Sequence, residues 1–155
     1  FVFHCTSEHV KLLQNFLLKE GLKNCGAISD EKIKSYILKS SIFAVTKSGT
    51  VSLEICNGKI PSIIIYKMGI INFFIVKMLV KVNYANIINI AANEEIIPEL
   101  LQSNCNSNYI YNTVDKLLSN KDALENQINK SQKIISNFKT DKSSEIASSV
   151  IEKHF

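Results

Sequence analysis

The residues in this chain best suited by type and spacing to chemistry are Ser48-Gly49-Thr50-Val51-Ser52-Leu53-Glu54. They follow a continuous apolar run, Ile42-Phe43-Ala44-Val45, and open a helical pattern, so the sequence places them between a strand buried on both faces and a helix. In a parallel sheet that junction is the C-terminal edge, where open α/β sheets bind ligands. Gly49 lets the backbone come close to a ligand. The first amides of the helix are unpaired, with the positive end of the helix dipole behind them. That combination suits a phosphate. Helical side chains lean toward the N-terminus, so Glu54 leans back toward Thr50, where a carboxylate can accept both hydroxyls of a ribose. By itself the spacing favours a plainer reading, an ordinary capped helix with Ser48 or Thr50 as the cap and Glu54 on the surface.

The elements that must position this loop can be read on both sides of it. Residues 1–5 look like a strand, and Glu8 to Glu20 carries a helical stripe (Val10, Leu12, Leu13, Phe16, Leu17) that Gly21 can end. Asn24 to Ile28 reads as a short strand, and Ser29-Asp30-Glu31 offers a cap and an acidic first turn for a helix to about Lys39. Thr50 to Asn57 is the next helix, with Gly58 placed to end it, and Pro61 introduces a buried strand from Ser62 to Tyr66. Strands alternating with helices predict an α/β fold: a Rossmann-like parallel sheet flanked by helices. Gly69 to Val80 reads as an amphipathic helix packed on the sheet, with contact to a membrane surface as the sharper reading. Residues 83–108 read as irregular and Asn-rich, with a short helix from Pro98 to Gln102. Helices follow from Asn112, the last beginning at Ser143 or Ser144. The domain reading is residues 1–110 as one nucleotide-binding unit, incomplete at its N-terminus, with residues 111–155 as helices packing on it.

Composition narrows the classes. The chain has 155 residues, 46% hydrophobic and 21% charged, which supplies one core and excludes a disordered tail. No uninterrupted apolar stretch is long enough to expect a transmembrane helix, because Lys67, Gly69, Asn72 and Lys77 break the best run. All 18 basic residues are Lys, and Asn (16) and Ile (23) are also abundant, the pattern of an A/T-rich coding sequence. The net charge of +4 is spread along the chain and forms no nucleic-acid arm. Cys5, Cys25, Cys56 and Cys105 show no C-x-x-C spacing and read as buried free thiols of a reducing cytoplasm. His4, Cys5 and His9 could hold a metal only on paper, so neither a metal nor a cofactor is expected. The chain opens Phe1-Val2-Phe3-His4-Cys5, without Met and without the pattern of a signal peptide, and reads as the C-terminal piece of a longer protein.

A longer series of motifs goes beyond spacing. Ser48-Gly49-Thr50-x-x-Leu53-Glu54 is followed by Pro61, Tyr66-Lys67, Leu79-Val80-Lys81-Val82-x-Tyr84, Asn89, and Glu95-x-x-Pro98-Glu99-Leu100-Leu101-Gln102. This series resembles the C-terminal half of bacterial lipid-A-disaccharide synthases, strongly over residues 40–120 and weakly at the flanks. The loop is shared by many nucleotide-sugar transferases, whereas the Tyr-Lys, Leu-Val-Lys and Pro-Glu-Leu-Leu-Gln elements are more specific.

The resemblance implies a two-domain GT-B glycosyltransferase whose C-terminal domain binds the UDP-sugar. Ser48, Gly49 and Thr50 would then contact the diphosphate, Glu54 would hold the ribose, and Asn89 would lie in a loop facing the donor sugar together with Glu95. The implied reaction joins UDP-diacylglucosamine to an acylated sugar phosphate (lipid X) through a β-1,6 linkage and releases UDP. Both partners are acylated, so the resemblance implies a cytoplasmic protein peripheral to the inner membrane. It places no catalytic residue in this chain, because the family carries its general base in the N-terminal half. The family's Gly-Arg-Glu is replaced here by Asn93-Glu94-Glu95, which removes a cation near the phosphate region and predicts looser donor binding. The family's first strand and phosphate loop of this domain are also missing, which predicts a poorly stable and inactive fragment. Alternative readings are a truncated, non-catalytic remnant or UDP-binding module, and a transferase using a different UDP-sugar.

Overall fold

The computed structural model describes residues 1–69, 83–138 and 143–153. The helix expected over Gly69 to Val80 and the Leu79–Val82 motif therefore lie outside the described residues, Gly69 apart. By compactness the chain divides into Phe1–Ile42 and Phe43–Phe155.

In the first unit, β1 (Val2–His4) and β2 (Gly26–Ile28) form a parallel pair with Phe3 opposite Ala27. Helix α1 (Ser7–Lys19) joins them, and α2 (Glu31–Ser40) follows. Gly21 ends α1's turn at φ +66°, the left-handed region that glycine enters without strain. Asp30 caps α2 by accepting the Ile33 amide at 2.9 Å, as its type and position predict.

The second unit is built on a parallel three-stranded sheet, β3 (Ala44–Thr46), β4 (Ser62–Tyr66) and β5 (Glu99–Leu101), in that spatial order. Between β3 and β4 runs α3 (Thr50–Asn57), and between β4 and β5 lies α4 (Ile87–Ala92). A 3₁₀ turn (Gln102–Asn104) leads to α5 (Ser107–Leu118), α6 (Lys121–Phe138) and α7 (Ser143–Glu152). Ile63 and Ile64 point to opposite faces of β4 and are both wholly buried, so the central strand is covered on both sides. Cys56, Ile64, Ile88, Ile96, Ile97 and Ile135 form the core, closed by α6 packing on α3, α4 and α5.

A buried side chain completes the sheet where β5 stops short. Gln127 of α6 accepts the Ser62 amide at 2.8 Å and donates to the Ser62 carbonyl at 3.0 Å, standing in for a strand backbone. Its amide also reaches the Ile96 carbonyl at 3.3 Å.

The structure corrects several sequence expectations, among them the cysteines, of which Cys56 is buried while Cys5, Cys25 and Cys105 are half-buried. The strand expected at residues 42–45 begins at Ala44 and is an edge of its sheet, with Ile42 80% and Val45 45% exposed rather than buried on both faces. Residues 83–108 are not irregular, since Asn86 caps α4 and β5 pairs with β4. Pro98 introduces that strand instead of a helix: its carbonyl accepts the Ile64 amide at 2.9 Å, and its missing N–H costs nothing just ahead of an edge strand.

Candidate functional site

The turn after β3 leaves its glycine in a conformation other residues rarely adopt. Gly49 has φ +142° and ψ −165° and is itself the N-cap of α3. Among the described residues no side chain caps this helix, so the ordinary capped helix with Ser48 or Thr50 as cap is not what forms. The Ser48 hydroxyl is turned elsewhere and donates to the Ala85 carbonyl at 2.6 Å. Gly49 and Thr50 are exposed, and Glu54, one turn along α3, is exposed too. Among the described residues a Cβ on Gly49 would meet nothing within 4 Å, and the turn is exposed rather than buried under side chains. An uncapped helix start beside an open glycine can receive an anion.

The loop is anchored at its base. The Lys47 ammonium lies 5.5 Å from the centre of the Tyr66 ring at the end of β4, a cation–π contact. Beyond Tyr66, the Gln102 side-chain amide accepts the Met68 amide at 2.8 Å and donates to the Met68 carbonyl at 3.1 Å. The first contact holds the exits of β3 and β4 side by side, and the second does the same for β4 and β5.

The other two sequence-predicted residues sit differently. Asn89 lies on helix α4 rather than in a loop, and it is wholly buried. Its side-chain nitrogen donates to the Ile97 carbonyl at 2.7 Å and to Glu99 at 2.8 Å. Its oxygen accepts the Ile96 and Ile97 amides, both at 2.9 Å. The amide is thus saturated by the protein itself. Glu95 is exposed and accepts the Glu99 amide at 3.1 Å. Where the resemblance expects Gly-Arg-Glu, Asn93 takes the left-handed position that ends α4 (φ +49°), and Glu94 pairs with Lys130 of α6.

Sequence reading missed three residues that tie this region together. Glu99 accepts the Ala85 amide at 2.7 Å and the Asn86 amide at 2.9 Å. Asn86 accepts the Ile88 amide and donates to the Ser52 hydroxyl, each at 2.9 Å. Ser52 in turn donates to the Gly49 carbonyl at 2.6 Å. Only Asn86 carried a local signal, as a capping residue ahead of Ile87-Ile88.

In the first unit, His4 Nε2 stands 3.3 Å from Glu31, and His9 Nδ1 meets the Thr6 hydroxyl at 2.7 Å. Glu31 also meets the Lys34 ammonium at 2.6 Å, and that hydrogen bond holds its carboxyl below the usual range. Burial pushes the Cys56 thiol in the second unit up, against a hydrogen bond with Ser131 that lowers it. Among the described residues no cluster of His, Cys, Asp or Glu is placed to hold a metal ion. Among the same residues no helix is long and apolar enough to cross a membrane.

Residues 2–153 match the family model described as lipid-A-disaccharide synthetase. The lipid-A-disaccharide synthase of Rickettsia typhi is 43% identical over 131 residues, covering 83% of this chain and 34% of the relative. That of Rickettsia prowazekii is 42% identical over the same length and shares. That of Rickettsia felis is 38% identical over 150 residues, covering 95% of this chain and 37% of its own. The chain thus spans about a third of the length of the curated relatives it matches.

Proposed function

The chain belongs to the lipid-A-disaccharide synthetase family, and on that premise we propose that it forms the donor-binding part of a glycosyltransferase of lipid A biosynthesis. The donor is UDP-2,3-diacylglucosamine, the acceptor is lipid X, and the products are lipid A disaccharide 1-phosphate and UDP. The nucleotide-sugar site belongs to the unit that begins at Phe43, and the later helices of that unit support it. The acylated substrates bring the protein to the membrane surface as a peripheral enzyme.

The observation that carries this reading is the uncapped start of α3, with the open Gly49 turn at its head and Glu54 one turn behind. The α3 amides and the Thr50 hydroxyl receive the diphosphate, Ser48 holds the turn through its bond to the Ala85 carbonyl, and the helix dipole stabilises the charge that gathers on the diphosphate as the sugar departs. Glu54 accepts the ribose hydroxyls. Asn89 and Glu95 serve the donor through the 95–99 backbone they hold, since the Asn89 amide is already saturated. The base that deprotonates the acceptor hydroxyl comes from outside this chain.

Glu54→Ala tests the assignment by calorimetric titration of UDP. The expected loss is about 1.5–3 kcal/mol of binding free energy, the range for hydrogen bonds to a charged group. Unchanged affinity would remove Glu54 from the site.

A further inference from the structure

One peptide unit, Ala85–Asn86, is gripped at both ends. Its N–H, on Asn86, donates to the Glu99 carboxylate at 2.9 Å, and its carbonyl, on Ala85, accepts the Ser48 hydroxyl at 2.6 Å. The preceding N–H, on Ala85, also donates to Glu99, at 2.7 Å. A second route leaves the same place: the Asn86 side chain donates to Ser52, and Ser52 donates to the Gly49 carbonyl. Both routes start at a carboxylate on β5 and end on the turn between β3 and α3. Ser52, Asn86 and Asn89 are wholly buried, so their hydrogen bonds are made without competition from water and the arrangement has few alternatives. Glu99 is charged, and charged acceptors make the stronger hydrogen bonds to backbone amides. Asn89 adds a third donor to the same carboxylate and locks its orientation.

We propose that Glu99 is a positioning residue for the Gly49 turn, setting the directions of the Ser48 hydroxyl and the first α3 amides through Ala85–Asn86 and Ser52. The role rests on the reading of that turn as the donor-diphosphate site, and it deepens that reading by naming what holds the turn ready. Glu99 touches no donor atom itself. Its carboxylate is committed to three N–H donors, so its effect on a ligand passes through the turn.

The test is site-resolved amide hydrogen exchange on the 155-residue chain, with UDP titration alongside, for Glu99→Gln and Ser52→Ala. Glu99→Gln sets an NH₂ group against backbone N–H donors. It should speed exchange about tenfold at the 85–86 amides and at the Ser52 amide, which donates to the Gly49 carbonyl, while Ile63–Ile65 and α6 keep wild-type rates, and weaken UDP about tenfold. Ser52→Ala cuts only the second route. It should speed exchange at the position-52 amide by a few fold, leave 85–86 protected, and weaken UDP less. Loosening confined to 85–86 in Glu99→Gln, or spread evenly through α6, would overturn the proposal. If Glu99→Gln does not fold, Ser52→Ala decides alone, and an unchanged turn in that variant overturns the proposal. A wild-type chain that takes up no UDP would end the donor-site reading, while the exchange pattern still decides what Glu99 positions.

Discussion

Residues 1–42 and 43–155 are written in the same alternating strand–helix pattern, yet they bury very different amounts of themselves. In the first unit only Leu17, Ala27 and Lys34 are buried, while Phe1, Leu12, Leu18 and Tyr36 are each more than two-thirds exposed. In the second, Ile63, Ile64, Ile88 and Ile97 lose all contact with water, and so, or nearly so, do Ser52, Ser62, Asn86 and Asn89. The first has two strands with α1 packed on β2, whereas the second has a middle strand, β4, and an outer helix, α6, that touches three others. Alternation supplies the elements, but a core needs a strand with neighbours on both edges and helices over its faces. A two-stranded sheet has no strand with neighbours on both edges and is marginal by itself.

The sharpest way to break this contrast is to delete equivalent apolar groups from each unit. Ile64→Ala empties a position with no exposure at the centre of the second core and should cost about 2–5 kcal/mol. Val2→Ala removes a side chain already 49% exposed and should cost no more than about 1 kcal/mol. Native-state hydrogen exchange, read separately at the β4 and β1 amides, checks both. Equal costs would mean that the first unit has a core the burial pattern does not reveal.

A step down in size is the loss of the buried amide that completes the sheet. Gln127→Ala leaves the N–H and C=O of Ser62 without their partner and should cost about 2 kcal/mol by urea denaturation. Gln127→Glu would keep an acceptor for the Ser62 N–H but set an oxygen against its carbonyl, and should fare no better. Full stability in either variant would mean that water replaces the amide.

How much of this was legible in the sequence follows the same division between local and distant causes. Helix α3 and strand β4 formed over the residues expected of them, and Asp30 caps α2, because a glycine turn, Pro61 and a capping aspartate act within a few residues. The Gly49 turn was legible for the same reason. Strand β5 was not, because three residues after a proline become a strand only by pairing with β4, more than thirty positions earlier. The six-residue α4 was too short for a periodic signal. Ser52 and Glu99 stand in the sequence motifs, but their joining roles, like that of Gln127, could not be read, since the partners Asn86, Asn86 and Ser62 lie 34, 13 and 65 positions away. Asn89 is expected in a loop, and both its place on α4 and its saturation by the Ile96–Ile97 backbone and Glu99 are properties of the folded chain alone.

The two units should also soften at opposite ends of the pH scale. Folding favours ionised Glu31, chiefly through its hydrogen bond with Lys34. Its support is present above the ordinary carboxylate range and is lost as pH falls through its lowered pKa. Folding favours the neutral Cys56 thiol, because burial penalises the thiolate. That support is present below the ordinary thiol range and is lost as pH climbs toward its raised pKa. Protection, taken relative to the intrinsic exchange rate at each pH, should therefore fall at α2 on acidification and at α3 on alkalinisation. Glu31→Gln should flatten the first limb and Cys56→Ala the second, and a variant that leaves its limb unchanged would detach that group from its unit's stability.

The smallest expected effect belongs to a second exposed glutamate of the same unit, Glu125. Glu54 and Glu125 are both exposed glutamates on helices of the second unit. Among the described residues Glu125 meets Lys121 at 3.8 Å, an i,i+4 pair with both side chains well exposed. Such pairs contribute about 0.3–0.5 kcal/mol at most. Glu125→Ala should therefore leave the urea midpoint nearly unmoved and UDP affinity unchanged, while Glu54→Ala weakens UDP. If both variants weakened UDP alike, the cause would be a general effect of removing a negative charge, and the turn after β3 would lose its claim to the nucleotide. A drop for Glu54 alone ties the ribose to one carboxylate and to the helix that carries it.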